Sequence, residues 1–360
     1  MTSILKDEDR SNRLATADAH LITSMLAENN TIVQCSHKEP KPTPTPEKLN
    51  LSAIYAGYKP PPQNLPNSQI LTKCNLTSQI KKNYTARQEI LMARGLPKRC
   101  ALPGVEDIVV VASGKGGVGK STVSVNLAVS LANMGVRTGL LDGDIFGPSL
   151  PLMMNIREEP LVDDNNRIIP PVNYGVKCLS IGLLTEQNKA IIWRGPLVMS
   201  ALQRLLKGAV WEPLDILIVD TPPGTGDVHL SLSQNVPLSG VLLVSTPQVA
   251  ALQVAARGAQ MYRTFGIPVL GLIENMSYAV CGNCQNSLEI YGNTTETYLE
   301  QIQTKVLASL PLDGTITGCC DAGVPVVLQH KTSVCAKSFQ NLAKQIVKLL
   351  KKQKQEIKKE

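Results

Sequence analysis

The stretch VVVASGKGGVGKST, residues 109–122, carries the spacing G-x-x-x-x-G-K-[ST]. Gly114, Gly116, Gly117 and Gly119, with Val118 between them, let backbone N–H groups close around phosphate oxygens. The helix that Ser121 and Thr122 open adds the positive end of its dipole. Lys120 is expected to reach the β- and γ-phosphates of a nucleoside triphosphate, and the Ser121 hydroxyl to ligate Mg²⁺. Lys115 is a second cation inside the loop, where a minimal cradle needs only glycines. Mg²⁺ also calls for carboxylates at strand ends. LLDGD supplies Asp142 and Asp144; LIVDTPPGTGD supplies Asp220, followed by a Gly-rich segment able to move with a γ-phosphate. One such Asp reads equally well as an N-cap or turn residue. Three at the carboxyl ends of strands beside a phosphate loop point to one site.

A second chemistry sits in SYAVCGNCQN, with Cys281 and Cys284 just past an expected strand. Two thiolates at this spacing can share a metal centre but not complete it, because Fe–S clusters and structural zinc both want four ligands. The other two come from elsewhere in the chain or from a second copy, and a two-fold dimer supplies them by symmetry. The residues alone leave zinc, a redox dithiol and structural cysteines open. A redox dithiol normally opens a helix, whose dipole lowers the thiol pKa, and QNSLEIYG has no helical pattern. The nine cysteines have no framework spacing and no secretory signal precedes them, so reduced thiols or ligands are expected rather than disulfides. Cys178 reads as core; the adjacent Cys319 and Cys320 fit no ligand pattern; His229 reads as a solvated helix residue.

These side chains need strands that end at one edge and helices that follow. DIVVVAS, VRTGLLD, VKCLSIG, LDILIVD, SGVLLVST and PVLGLIENM are short apolar runs, the pattern of strands buried on both faces. Helical stretches lie between them, over KSTVSVNLAVSLANMG and around 196–208, 248–264 and 293–303. The rhythm predicts an α/β fold with a doubly wound, mostly parallel sheet. KEPKPTPTPEK and YKPPPQNLPNS favour extended, uncored chain, so residues 1–85 are expected to be a disordered extension, 86–350 the folded domain and 351–360 a basic tail. TARQEILMARGLP is expected to form a short helix leading into the domain. Aromatics make up only 4% of the chain, too few for a stacking platform, and much of the +7 charge lies in the tail; nucleic acid is not expected as a partner. No apolar run is long enough to span a membrane. The first residues show neither a secretory signal nor the acid-poor character of a transit peptide.

KGGVGKST, DGDIFGPS and DTPPGTGD resemble the deviant Walker A, switch I and switch II segments of the Mrp family of nucleotide-binding iron–sulfur assembly proteins, P-loop NTPases of the SIMIBI type. ARGLPKR, WRGPLVMSALQRLL, DVHLSLSQNVPLSGVLLVSTPQ and PVLGLIENMS extend the resemblance over residues 92–350, and they are most similar to the family's mitochondrial branch, which serves complex I assembly. The resemblance implies that Lys115 crosses a homodimer to the partner's phosphates, in the manner of an arginine finger, rather than standing solvated on the loop. It implies that Asp144 positions the attacking water and that Asp220 orders the Mg²⁺ shell. Asn275 would read the adenine edge; the plain alternative is an Asn in a turn. Cys281 and Cys284 would hold a [4Fe–4S] cluster on the dimer axis. The family usually reads Cys-Pro-x-Cys, and Gly282 here replaces the Pro with a more flexible residue. Cys35, Cys74 and Cys100 do not reproduce the N-terminal four-cysteine motif of cytosolic relatives. The implied function is a carrier that binds ATP, hydrolyses it slowly, and delivers [4Fe–4S] clusters to apoproteins such as complex I subunits in the mitochondrial matrix, with the cytoplasm as the alternative location. Two rivals share the loop. One is a positioning or partition ATPase whose basic helical tail lies on anionic lipid. The other is a small-molecule ligase, for which no substrate anchors can be identified.

Overall fold

A computed structural model describes residues 99–184, 195–281, 283–284, 286–291 and 295–357; the Pro-rich extension, the expected helix over 85–97 and Gly282 lie outside them. The described elements, in chain order, are β1 (Val105–Ser113), α1 (Lys120–Asn133), β2 (Thr138–Asp142), α2 (Leu150–Met153), β3 (Leu161–Val162), β4 (Ile168–Ile169), β5 (Val172–Asn173) and β6 (Val176–Ser180). There follow α3 (Gly195–Lys207), β7 (Leu214–Asp220), α4 (Asp227–Asn235), β8 (Gly240–Ser245), α5 (Val249–Thr264), β9 (Val269–Val280) and β10 (Ser287–Glu289). The chain continues through α6 (Thr295–Ile302), β11 (Val306–Pro311), α7 (Gly314–Asp321), α8 (Val326–Gln329) and α9 (Val334–Ile357).

The apolar runs become the sheet. Its order is β10-β9-β8-β1-β7-β2-β6-β5, with β11 also on β9. The pairs are parallel except β10 with β9 and β5 with β6. The strand in the middle shows why no run alternates with polar residues. Val109 and Val111 of β1 face a core built with α1, α7, α8 and α9, while Ile108, Val110 and Ala112 face a second core built with α3, α4 and α5. Each fully buried aliphatic side chain in these layers contributes about 1.5–3 kcal/mol. Parallel strands joined by right-handed crossovers end at the same edge. The loops after β1, β2 and β7 therefore converge, as the doubly wound reading requires.

One expectation changes, and one rival reading loses its support. β9 does not stop at Met276 but runs on to Val280, with Met276 at a positive φ of 56° and irregular pairing to β11 beyond Ser309. Asn275 is therefore a strand residue, not a turn residue. The basic C-terminal helix also differs from a lipid-lying one. Phe339, Leu342, Ile346 and Leu350 of α9 are buried in the core beside α1 and β11, and Lys354 pairs with Glu106 and Asp107 at 2.9 Å each. Its apolar face is taken, which removes the feature a membrane-surface helix needs. Among the described residues no helix is long and apolar enough to cross a membrane.

Candidate functional site

The phosphate loop leaves β1 at Ser113 and enters α1 at Lys120. Two glycines are dictated by their surroundings. A Cβ on Gly114 would lie 2.6 Å from the Val254 carbonyl carbon, because α5 packs directly against the loop. Gly119 caps α1 in the left-handed conformation at φ 82°, and a Cβ there would lie 2.1 Å from Asn275 Nδ2. That same Nδ2 donates to the Val118 carbonyl at 2.8 Å. Asn275 thus braces the loop from below, buried on β9. Gly119→Ala is expected to combine backbone strain with loss of this brace, lowering stability by about 2–3 kcal/mol; a urea midpoint unchanged from wild type would show that the loop tolerates the side chain.

Lys115, Gly116, Gly117, Val118, Gly119, Lys120, Ser121, Thr122 and Asp144 line one open cavity of ≈ 290 Å³. The structure adds Ser113, Ser149, Met153 and Pro223 to its wall. The cavity wall therefore unites the loop with the segments after β2 and β7. Pro223 lies 3.9 Å from the Cβ position of Gly116, and the Gly224 N–H donates to the Ser113 carbonyl at 2.8 Å, so the Gly-rich segment after β7 abuts the loop.

Asp142 and Asp220 sit below the cavity floor, side by side in the register of β2 and β7. Lys120 Nζ lies 2.7 Å from Asp220 Oδ1, and the Ser124 hydroxyl donates to the same oxygen at 2.7 Å. Ser124 is one helical turn beyond Lys120 and so shares its face, but only the packing of α1 on β7 makes Asp220 its partner. Asp142 accepts from the Asp144 N–H at 3.1 Å, the Leu150 N–H at 3.3 Å and the Ser180 hydroxyl at 3.0 Å. Burial, and then the neighbouring Asp220 carboxylate, push its pKa up to about 7. The buried ammonium pairs with Asp220 alone and leaves Asp142 without a cation, and a divalent cation bound with the nucleotide would relieve that negative charge.

Because the folded-state pKa of Asp142 is raised, folding takes up a proton between about pH 4 and 7, and stability falls as pH rises through that window. Asp142→Asn removes this dependence. In metal-free protein the variant is expected to gain on wild type by on the order of 1 kcal/mol per pH unit from pH 4 to 7 and to stay level above it. Urea melts of both proteins across this range check it; parallel curves would refute it.

The cysteine pair lies at the far end of β9. The Cys281 N–H donates to the Asn286 carbonyl at 3.0 Å, closing a hairpin in which Ser287 pairs with Val280. Cys281 is half-buried and Cys284 exposed. Hydrogen bonds from the backbone N–H groups of Cys284 and Asn283, and then from the Cys284 thiol, hold the Cys281 thiol below its ordinary pKa. The pair sits in a hairpin, not at a helix start, as QNSLEIYG suggested. Among the described residues no third His, Cys, Asp or Glu joins it. Exposed Val280, Leu288 and Ile290 flank it.

The model of the NUBPL iron-transfer P-loop NTPases matches residues 104–347. The chain belongs to this family. Its NUBPL relatives include the mouse iron–sulfur cluster transfer protein NUBPL, 47% identical over 268 residues, covering 74% of this chain and 84% of that one. An Arabidopsis thaliana mitochondrial iron–sulfur protein required for NADH dehydrogenase is 49% identical over 261 residues, covering 72% and 83%. An iron–sulfur cluster carrier protein of Helicobacter pylori is 42% identical, covering 70% and 69%. Among solved structures, a nucleotide-binding protein of Archaeoglobus fulgidus in complex with ADP superposes with a TM-score of 0.52 at 31% identity, covering 61% of this chain and 87% of that one. The Pyrococcus furiosus cell-division ATPase MinD, at 24% identity and a TM-score of 0.53, shares the fold.

Other side chains of this NUBPL-family chain depart from, or follow, what the sequence suggested. His229 is not solvated: it is 0% exposed, between α4 and α5. Cys178 is in the core, where burial pushes its thiol far above the usual range. Cys319 and Cys320 are buried in α7, and Cys320 Sγ lies 4.0 Å from Thr122 Oγ1 at the start of α1.

Proposed function

We propose that this protein is an ATP-dependent iron–sulfur cluster carrier that delivers its cargo to apoproteins, among them subunits of complex I, in mitochondria. The observation that carries the reading is the exposed Cys281–Cys284 hairpin, with N–H groups already turned toward one sulfur and no further ligand beside it. Such a half-site favours thiolate and metal, and a second copy completes it as a [4Fe–4S] cage on a two-fold axis. The apolar side chains of Val280, Leu288 and Ile290 give that pairing a surface to bury.

The nucleotide site is read in the same way. Gly114 to Thr122 cradle the phosphates of ATP, with Lys120 on the β- and γ-phosphates. Ser121, Asp142 and Asp220 surround Mg²⁺. Lys115 reaches across the dimer to the partner's phosphates, and Asp144 positions the attacking water. The base lies toward Asn275, whose Nδ2 gives one N–H to the Val118 carbonyl and keeps its second N–H and its oxygen for adenine. β9 links the two sites: Asn275 lies on the strand and Cys281 directly after its end, six residues on, roughly 20 Å in extended chain. A shift at the phosphate loop therefore has a rigid element leading to the hairpin.

The test is anaerobic reconstitution with iron and sulfide, followed by transfer to an apo [4Fe–4S] acceptor with and without Mg·ATP. Cluster absorbance on a dimeric species and ATP-dependent transfer are expected. A monomer without cluster under these conditions would end the proposal.

A further inference from the structure

A buried histidine under the Gly-rich segment after β7 has no place in the chemistry above. His229 lies in the first turn of α4, three residues past Gly226, and its N–H donates to the Gly226 carbonyl at 3.2 Å. Its ring meets Tyr262 of α5 edge to face, centroids 5.8 Å apart, with Nδ1 2.6 Å from the tyrosine hydroxyl. Both side chains are buried.

The tautomer follows from this contact. Burial holds Tyr262 far above its usual pKa, so it remains a phenol. If Nδ1 carried the proton and donated to Tyr262, the buried phenolic O–H would be left without an acceptor. The arrangement that satisfies both has Tyr262 donating to Nδ1. Burial also pushes His229 down to about 4, so the ring is neutral and its one proton sits on Nε2. Nε2 is buried and has no hydrogen-bond partner. The Pro222 carbonyl already acts on the ring as a backbone acceptor, too poorly placed for a full hydrogen bond to Nε2, while Lys120 opposes a proton there. A buried donor facing an acceptor that it does not fully bond, on a segment that contains Gly224 and Gly226, leaves a contact that can tighten.

We infer that His229 is the positioning residue of the segment Pro222–Gly226, which already abuts the phosphate loop: its Nε2–H, fixed by Tyr262, tightens to a full hydrogen bond on the Pro222 carbonyl when the nucleotide is bound and so stiffens the segment there. This rests on the nucleotide reading above. α5 makes the device effective, since the helix that carries Tyr262 also packs on Gly114 of the loop.

Hydrogen–deuterium exchange of amides 224–231 in the full chain, with and without Mg·ATP, tests it alongside fluorescent-ATP titration and phosphate release. Wild type is expected to gain protection at these amides on binding ATP. His229→Leu is expected to bind ATP about threefold more weakly, gain no protection, and release phosphate about tenfold more slowly. His229→Gln keeps an N–H donor near the position of Nε2 and is expected to restore all three. Tyr262→Phe keeps shape but frees the tautomer, with a loss of about threefold; it decides the matter if His229→Leu does not fold. Wild-type exchange and turnover in the variants that fold would overturn the inference. Wild-type protein that binds ATP without protecting these amides overturns it and leaves the nucleotide reading standing. Wild-type protein that binds no ATP overturns both.

Discussion

Lys120→Ala is expected to abolish nucleotide turnover and, before any nucleotide is added, to destabilise the protein by about 3–5 kcal/mol. Both effects have one cause. The ammonium is buried at 2.7 Å from Asp220, so its removal leaves a carboxylate in the core with only the Ser124 hydroxyl and no cation. A buried charge stripped of its partner costs far more than the pair was worth. In the proposed nucleotide site the same ammonium meets the phosphates, and losing such a contact costs on the order of 10²–10³ in rate. The two effects separate in a double variant. Lys120→Ala with Asp220→Asn removes both charges, so stability is expected to return most of the way while turnover stays lost. Urea midpoints and phosphate release measured on the single and double variants give the answer. A Lys120→Ala protein that unfolds at the wild-type midpoint would show that the ion pair holds nothing in the empty state.

Replacing Cys281 or Cys284 with Ala is expected to remove all bound iron, not half. If the cage is shared by a symmetric pair, wild type holds about two irons per chain and each single substitution takes two of four ligands at once. A dimer with two remaining thiolates cannot retain the cluster. ATP binding is expected to be untouched, because the hairpin lies roughly 20 Å along β9 from Asn275. Iron assay, visible absorbance and ATP titration on anaerobically reconstituted variants measure this. A single variant that keeps half the iron would place the cluster within one chain and defeat the symmetric arrangement. Mixing wild-type chains with the double variant sharpens the test: hybrid dimers should be as empty as the double variant itself.

The sequence by itself determined the sheet and the identities of the loop residues. Apolar runs of five to nine residues ending in Asp142, Asp220 and Ser113, each followed by Gly-containing loops, leave few packings other than parallel strands with a common edge. The spacing of Gly114, Gly119, Lys120 and Ser121 is a local property, set by one turn between a strand and a helix. The cysteine pair was legible for the same reason.

What only the tertiary structure decided are contacts between residues far apart in the chain. Nothing local to Ser124 says that it will meet Asp220, 96 positions on; the register of β7 beside α1 decides it. Nothing local to Asn275 says that its amide will hold the carbonyl of Val118, and PVLGLIENM gave no sign that the strand would continue through a bulge to Val280. His229 looked like a polar residue on a helix surface, and packing against α5 made it the most enclosed imidazole on the described chain. Short-range chemistry is written in spacing. Burial and partnership depend on which faces the fold presses together, and that is settled only when the whole chain closes on its two cores.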